Sequence, residues 1–226
     1  MIGTVILAAG KGYRFGEMKQ FKETDGISPL NVVVNKFSIV CGRIITVVPD
    51  KEHFDLVTHG AAVVGGEYRL ESIKNGIERW IDDESVDRII IAEAARPFIE
   101  QEVIKEMVEV PGDVVIVYSP CSYVVMEDVS EYQGFYYDQE VYIHKPRGRI
   151  RIIEPPSIWR KDTLVKLLRS LKPRMASSQV PSVYAPLVTQ SIGWVSARCR
   201  NPKITFRHEY AMFENYIRET KTNGGV

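Results

Sequence analysis

The chain has 226 residues, 45% of them hydrophobic, and its 29 basic residues balance 29 acidic ones. That length buries one good core, or one core with a small appendage, and a formal charge of zero argues against a broad nucleic-acid footprint while leaving small, locally held anions open. Three cysteines, Cys41, Cys121 and Cys199, show no CxxC or CxxH spacing, and an odd number suits a reducing, cytoplasmic setting better than a disulfide frame.

The apolar start before Gly10 is short and reads as a strand, not a leader, and no apolar run approaches the roughly 20 residues of a membrane span. From there β-branched runs alternate with helical patterns: TVILA (4–8), PLNVVVNKFSIV (29–40), RIITVV (43–48), AAVV (61–64), LESIKNGIERWI (70–81), RIIIA (88–92), QEVIKEMVEV (101–110) and DVVIVY (113–118). Runs apolar on both faces suit the middle of a parallel sheet. The alternation predicts an α/β protein, three layers around a mostly parallel twisted sheet, as one domain over 1–226. Between Pro120 and Arg151 it stops, and a tyrosine-rich stretch of alternating polar and apolar residues predicts a β-hairpin or arm over 120–151. Helical patterning returns in WRKDTLVKLLRSL (159–171) and HEYAMFENYIRE (208–219), and the tail TKTNGGV is expected to fray.

The stretch VILAAGKGYRFGEMKQF, Val5 to Phe21, sets a glycine-broken loop directly after the first strand, with Lys11, Arg14, Lys19 and nearby Lys22 around it. Such a turn gathers backbone N–H groups around one point, and a helix N-terminus adds partial positive charge, which together make a phosphate cradle. A Walker loop fails, because Gly16 follows Gly10 after five residues and is followed by Glu17. A dinucleotide fingerprint is weak, with Phe15 at the third glycine position. A nucleotidyltransferase loop, LAAGxGxR, is matched by Leu7, Ala8, Ala9, Gly10, Gly12 and Arg14. An ordinary tight turn with solvated charges stays open on this motif alone.

Further matches follow in order: GGEYRLESIKNG from Gly65 to Gly76, AEAARPF from Ala92 to Phe98, and NPKITF from Asn201 to Phe206. With them the sequence resembles the cytidylyltransferases that act on 2-C-methyl-D-erythritol 4-phosphate, with ribitol 5-phosphate cytidylyltransferases as close relatives. The resemblance implies transfer of a cytidylyl group from CTP to a polyol phosphate, giving a CDP-alcohol and pyrophosphate, in a homodimer joined through the arm. It also implies roles. Leu7, Ala8, Ala9, Gly10 and Gly12 would meet the nucleotide, and Gly66, Glu67, Arg69 and Ser72 would read the base as part of GGxxRxxS. Arg14, Lys19 and Lys203 match the cations around the triphosphate, and Glu93 and Arg96 fall where the family has the aspartate and arginine of HDAARP. Arg96 would then contact the acceptor. Glu93, ending its strand at the carboxyl edge of the sheet, is well placed to hold Mg²⁺.

Some of these residues have plainer readings. Ser72 could be a helix hydroxyl bonded to its own backbone, and Arg96 could pair with Glu93 as a structural bridge. The four histidines show neither metal-ligand nor triad spacing. The chain also departs from the family. Ala92–Glu93 stands for the usual histidine–aspartate pair, and Met18–Lys19–Gln20 for PKQ. The arm carries SYVVM (122–126) instead of a DTIK-like motif, and Glu154–Pro155–Pro156 falls at the TPQ segment. Lys145, Arg147, Arg149 and Arg151 are candidates to replace the missing acceptor cations, or a solvated charged strand face.

Overall fold

The computed structural model describes residues 1–120, 125–128, 142–145, 150–171, 181–197 and 201–222. Strands β1 (Ile2–Leu7), β2 (Arg43–Val48), β3 (Ala61–Val64) and β4 (Arg88–Glu93) alternate with helices α1 (Pro29–Val40), α2 (Arg69–Ile81) and α3 (Gln101–Glu109). Next come β5 (Val114–Pro120), β6 (Val125–Asp128), β7 (Tyr142–Lys145), β8 (Arg151–Arg160), α4 (Lys161–Ser170), β9 (Ile192–Ser196) and α5 (Arg207–Thr222). Seven strands form one sheet in the order β3-β2-β1-β4-β8-β5-β9. β3, β2, β1 and β4 run parallel, as do β5 and β9, while β8 is antiparallel to both of its neighbours.

The period of two along each strand sends neighbouring side chains to opposite faces, and both faces are covered. Ile6, Ile90 and Val115 pack with Val33, Phe37, Ile104 and Met107 of α1 and α3. Val5, Ile89 and Ile116 pack with Ile73, Ile77, Leu164 and Leu167 of α2 and α4. Each fully buried aliphatic side chain contributes on the order of 2 kcal/mol, so the two layers clamp the sheet and fix its strand ends. α1 begins sharply: Ser28 Oγ accepts the Asn31 N–H at 3.2 Å and Pro29 occupies the first turn. α5 forms a third cluster, in which Tyr210, Phe213 and Ile217 meet Val32 of α1 and Phe15 of the glycine loop. The end of the chain thereby braces the loop at its beginning. No helix among the described residues is long and apolar enough to cross a membrane.

The α/β fold with its mostly parallel sheet is as the alternation predicts, and two strands were not anticipated. Ile192–Ser196 adds β9 at the sheet edge. β8 fills the middle of the sheet, and Trp159 and Arg160 belong to it, not to the following helix, which starts at Lys161. Trp159 pairs with Ile89 and with Val114, and tertiary pairing overrides local helical pattern there. Pro155 and Pro156 conceal the strand in the sequence; they sit where its register against β5 shifts, between Ile116 and Tyr118, a bulge that tolerates missing N–H donors. Within the arm, β6 and β7 pair antiparallel as a separate two-stranded sheet. Residues 121–124, 129–141 and 146–149 lie outside the described residues.

Candidate functional site

The carboxyl ends of β1, β2, β3 and β4 open into a crevice of about 670 Å³. Its lining includes Leu7, Ala8, Ala9, Gly10, Lys19, Gly66, Glu67, Arg69, Ser72, Glu93 and Lys203, all picked out from the sequence. Ligands of open α/β sheets bind at this edge. A larger groove of about 1110 Å³ lies between α1 and α5, lined by Ile39, Phe98, Met212 and Tyr216 among others. It lacks the glycine loop, Lys19 and Lys203, so the smaller crevice is the candidate site.

The loop is held from both sides. Ala8 N–H donates to Val47 O at 2.8 Å and Ala94 N–H to Leu7 O at 3.0 Å, which ties the end of β1 to its neighbours. The buried Gln20 donates Nε2 to both Ala8 O and Gly10 O, each at 2.7 Å. Gly12 has φ +70, and its carbonyl accepts from Phe15 and Gly16; a Cβ there would lie 1.9 Å from Glu17 O. Only glycine fits that position. Gly10 differs, since a Cβ on it would meet nothing within 4 Å. No protein packing explains Gly10, and its open side faces room for a ligand.

The second wall is the loop before α2. Gly65 N–H donates to Val48 O at 2.8 Å, Gly66 N–H to Ser72 Oγ at 3.2 Å, and Tyr68 N–H to the Glu71 carboxylate at 3.2 Å. Ser72 thus fastens this loop instead of bonding back along its own helix. The α2 N-terminus adds its partial positive charge to the crevice.

At the floor, Glu93 is buried and its two oxygens are both engaged. Arg69 Nη2 pairs with Oε1, while Arg96 Nε and Lys203 Nζ each lie 3.1 Å from Oε2. Burial would raise the Glu93 carboxyl, but the Arg69, Lys203 and Arg96 charges outweigh it and hold the group well below the usual carboxylate range. Burial pulls the Lys203 ammonium down, against the upward pull of Glu93. Lys19, half-buried, is lowered by burial and then by Arg14.

Not every residue picked out from the sequence lines the crevice. Arg14 is exposed, its guanidinium 5.8 Å from the Phe206 ring centre. Gly12 and Arg96 stand behind the lining: Arg96 donates Nη1 to Asn201 O at 2.5 Å and Nε to Glu93. Arg151 stacks on Trp194 and Tyr118, with its guanidinium 4.3 and 4.9 Å from the ring centres. The side chains of Lys145, Arg147 and Arg149 lie outside the described residues. Sequence reasoning gave Gln20 no role, although its place beside Lys19 in the loop motif could have drawn attention to it. It also missed Pro49, which carries no local motif, and Tyr68, which sits at a variable position of the GGxxRxxS stretch; both line the crevice.

A glycine loop at the end of β1, facing cations at the carboxyl edge of the sheet, defines a nucleotidyltransferase-type α/β fold. The family model described as IspD, 2-C-methyl-D-erythritol 4-phosphate cytidylyltransferase, matches residues 2–131, more than half of the chain. The chain belongs to that family. A curated relative of this name from Clostridium beijerinckii is 32% identical over 122 residues, covering 48% of this chain and 53% of the relative. Another from Carboxydothermus hydrogenoformans is 24% identical over 230 residues, 94% of each. The chain thus spans about half the length of several curated relatives it matches. Among solved structures, 4-diphosphocytidyl-2C-methyl-D-erythritol synthase from Anaerococcus prevotii superposes with TM-score 0.74 at 19% identity, covering 96% of this chain and 98% of that one. The cytidylyltransferase from Thermus thermophilus gives TM-score 0.73 at 16% identity, covering 96% and 100%. These likenesses bear on the fold.

Proposed function

We propose that the chain transfers a cytidylyl group from CTP to a polyol phosphate, with 2-C-methyl-D-erythritol 4-phosphate as the first candidate acceptor. The observation that carries the reading is the convergence of the glycine loop, the Gly65–Arg69 loop, Lys19 and Lys203 on one crevice. An oxygen of the acceptor phosphate attacks the α-phosphorus of CTP, the bond to the bridging oxygen breaks, and its electron pair leaves on pyrophosphate. The attacking phosphate is already ionised, so no general base is needed. The protein's task is to bring two polyanions together and neutralise charge as it moves onto the leaving group.

In this reading the backbone around Ala8, Ala9 and Gly10 takes the nucleoside, Gly66, Glu67, Arg69 and Ser72 shape the base end, and Lys19 and Lys203 serve as mobile charges. Arg14 closes over the phosphates as a planar fork. Members of the family generally use a divalent metal. The residues present do not fit a resident ion held through Glu93: its oxygens already meet three cations, and no group of three potential metal-ligating side chains occurs among the described residues. No step is therefore routed through a protein-held metal. Glu93 acts as the counter-ion that arranges Arg69, Arg96 and Lys203.

Residues 1–226 are read as one nucleotidyltransferase domain working in the cytoplasm, dimeric through the 120–151 arm. The separate β6–β7 pair supports an element available for a second copy. Light scattering that gives a monomer at micromolar concentration removes the dimer. Pyrophosphate release from CTP with 2-C-methyl-D-erythritol 4-phosphate, ribitol 5-phosphate and other polyol phosphates tests the activity. Release with one of these acceptors is expected; CTP binding without turnover on any of them makes the chain a binding protein that kept the fold.

A further inference from the structure

The segment that delivers Lys203 has no regular secondary structure, so something else must fix it. Asn201, two residues upstream, is almost wholly buried and held at three points. Its N–H donates to Glu154 Oε2 at 3.2 Å, its carbonyl accepts from Arg96 Nη1 at 2.5 Å, and its Nδ2 donates to Pro155 O at 2.9 Å. On the other side of Lys203, Ile204 N–H donates to Ala95 O at 2.8 Å. Glu154 is the centre of this clamp. Its buried Oε2 also accepts the Ser119 hydroxyl, and its Oε1 lies 3.9 Å from Arg96 Nη1. Arg96 in turn grips Glu93, the partner of Lys203.

A carboxylate suits that centre. Its oxygens accept and never donate, so they can receive the Ser119 hydroxyl, the Asn201 N–H and the Arg96 charge together. A buried carboxylate persists only where such donors surround it. Glu154 begins the stretch that falls at the family's TPQ segment, so this chain carries a charge where that motif has a hydroxyl.

We propose that Glu154 is a positioning residue that sets Lys203 against the substrate phosphates, acting through Asn201 and Arg96. The proposal rests on the cytidylyl-transfer reading for the use made of Lys203. Ser119 on β5 and Glu154 on β8 stand at the two sides of the arm's base, so the clamp also joins that base to the site.

The test is a double-mutant cycle between Glu154→Gln and Lys203→Ala, with inorganic pyrophosphate and CTP as probes in calorimetry. Hydrogen exchange of residues 201–206 is measured alongside. Each single variant should weaken pyrophosphate binding about tenfold, and the double variant should be no weaker than Lys203→Ala alone. Exchange at 201–206 should quicken in Glu154→Gln, and Glu154→Asp should restore part of both. A parent that binds while the two effects simply add, or exchange at 201–206 that stays at the parent rate, overturns the positioning role alone. A parent that binds neither probe sinks the cytidylyl reading and the role with it. If Glu154→Gln fails to fold, Asn201→Ala enters the cycle in its place and must show the same coupling.

Discussion

Lys203, delivered by the segment ahead of α5, places Nζ 3.1 Å from Oε2 of Glu93 at the carboxyl end of β4. This contact joins the far end of the chain to the first half of the sheet inside the crevice. Its consequence is measurable. Replacing Glu93 by glutamine strands three cations, and breaking a buried ion pair from one side costs about 3–5 kcal/mol. The Glu93 carboxyl is held low in the folded protein, so its contribution is present above the unfolded value of about 4 and is lost as the pH falls below it. Thermal melts should show Glu93→Gln well below the parent at neutral pH, with the gap narrowing in acid. Pyrophosphate should raise the variant's Tm more than the parent's. Equal melting temperatures at pH 7 would mean that the three ion pairs contribute nothing.

Arg14 lies over Phe206, outside the crevice wall, and the proposed transfer needs it on the leaving group. Arg14→Ala should lower kcat about a hundredfold, roughly 3 kcal/mol, with a smaller change in CTP affinity. Arg14→Lys should recover only part of the loss, because a point charge cannot make a two-pronged contact. Steady-state kinetics in which kcat survives and only KM rises would make Arg14 a binding clamp.

Gly12 carries the sharpest local constraint. Alanine there faces a left-handed φ, costing about 1–2 kcal/mol, and a backbone carbonyl in the way of its Cβ. Gly12→Ala should weaken CTP binding by at least about tenfold (1.4 kcal/mol), measured by calorimetry, and lower the Tm by several degrees. Unchanged affinity would mean that the loop conformation is irrelevant to the ligand.

How legible these features are depends on how local they are. Leu7 to Arg14 and the Gly65–Ser72 loop are contiguous motifs, and the strand that ends at Glu93 is apolar from Ile89 to Ala92, so loop and strand edge can be read directly. β8 could not be, because Pro155 and Pro156 mask a strand that only its two neighbours justify. The partners of Glu93 and Glu154 come from distant segments, so a sequence offers the charges without saying which are spent on one another. That is why Glu93 reads as a candidate metal ligand in sequence, while in three dimensions its oxygens meet Arg69, Arg96 and Lys203. Gln20 is a similar case: an amide that braces two carbonyls across its own loop leaves no periodic trace.

Lys36 offers a pH test outside the site. Its ammonium donates to Pro97 O at 2.8 Å and Ile99 O at 2.7 Å, bonds that a neutral amine also makes, and burial lowers its pKa to about 8. The folded protein therefore holds fewer protons than the unfolded chain between about pH 8 and 10, and stability rises with pH in that window. Urea unfolding of the parent and Lys36→Met should show the parent gaining on the variant across it. A constant difference would place the amine's titration at its ordinary value.

The proposed transfer makes the crevice at the ends of β1 to β4 a CTP site. Calorimetric titration of the protein with CTP, UTP, ATP and GTP, each with Mg²⁺ in solution, tests it most directly. CTP should bind tightest, and Lys203→Ala should weaken it. A purine nucleotide that binds more tightly than CTP would contradict it.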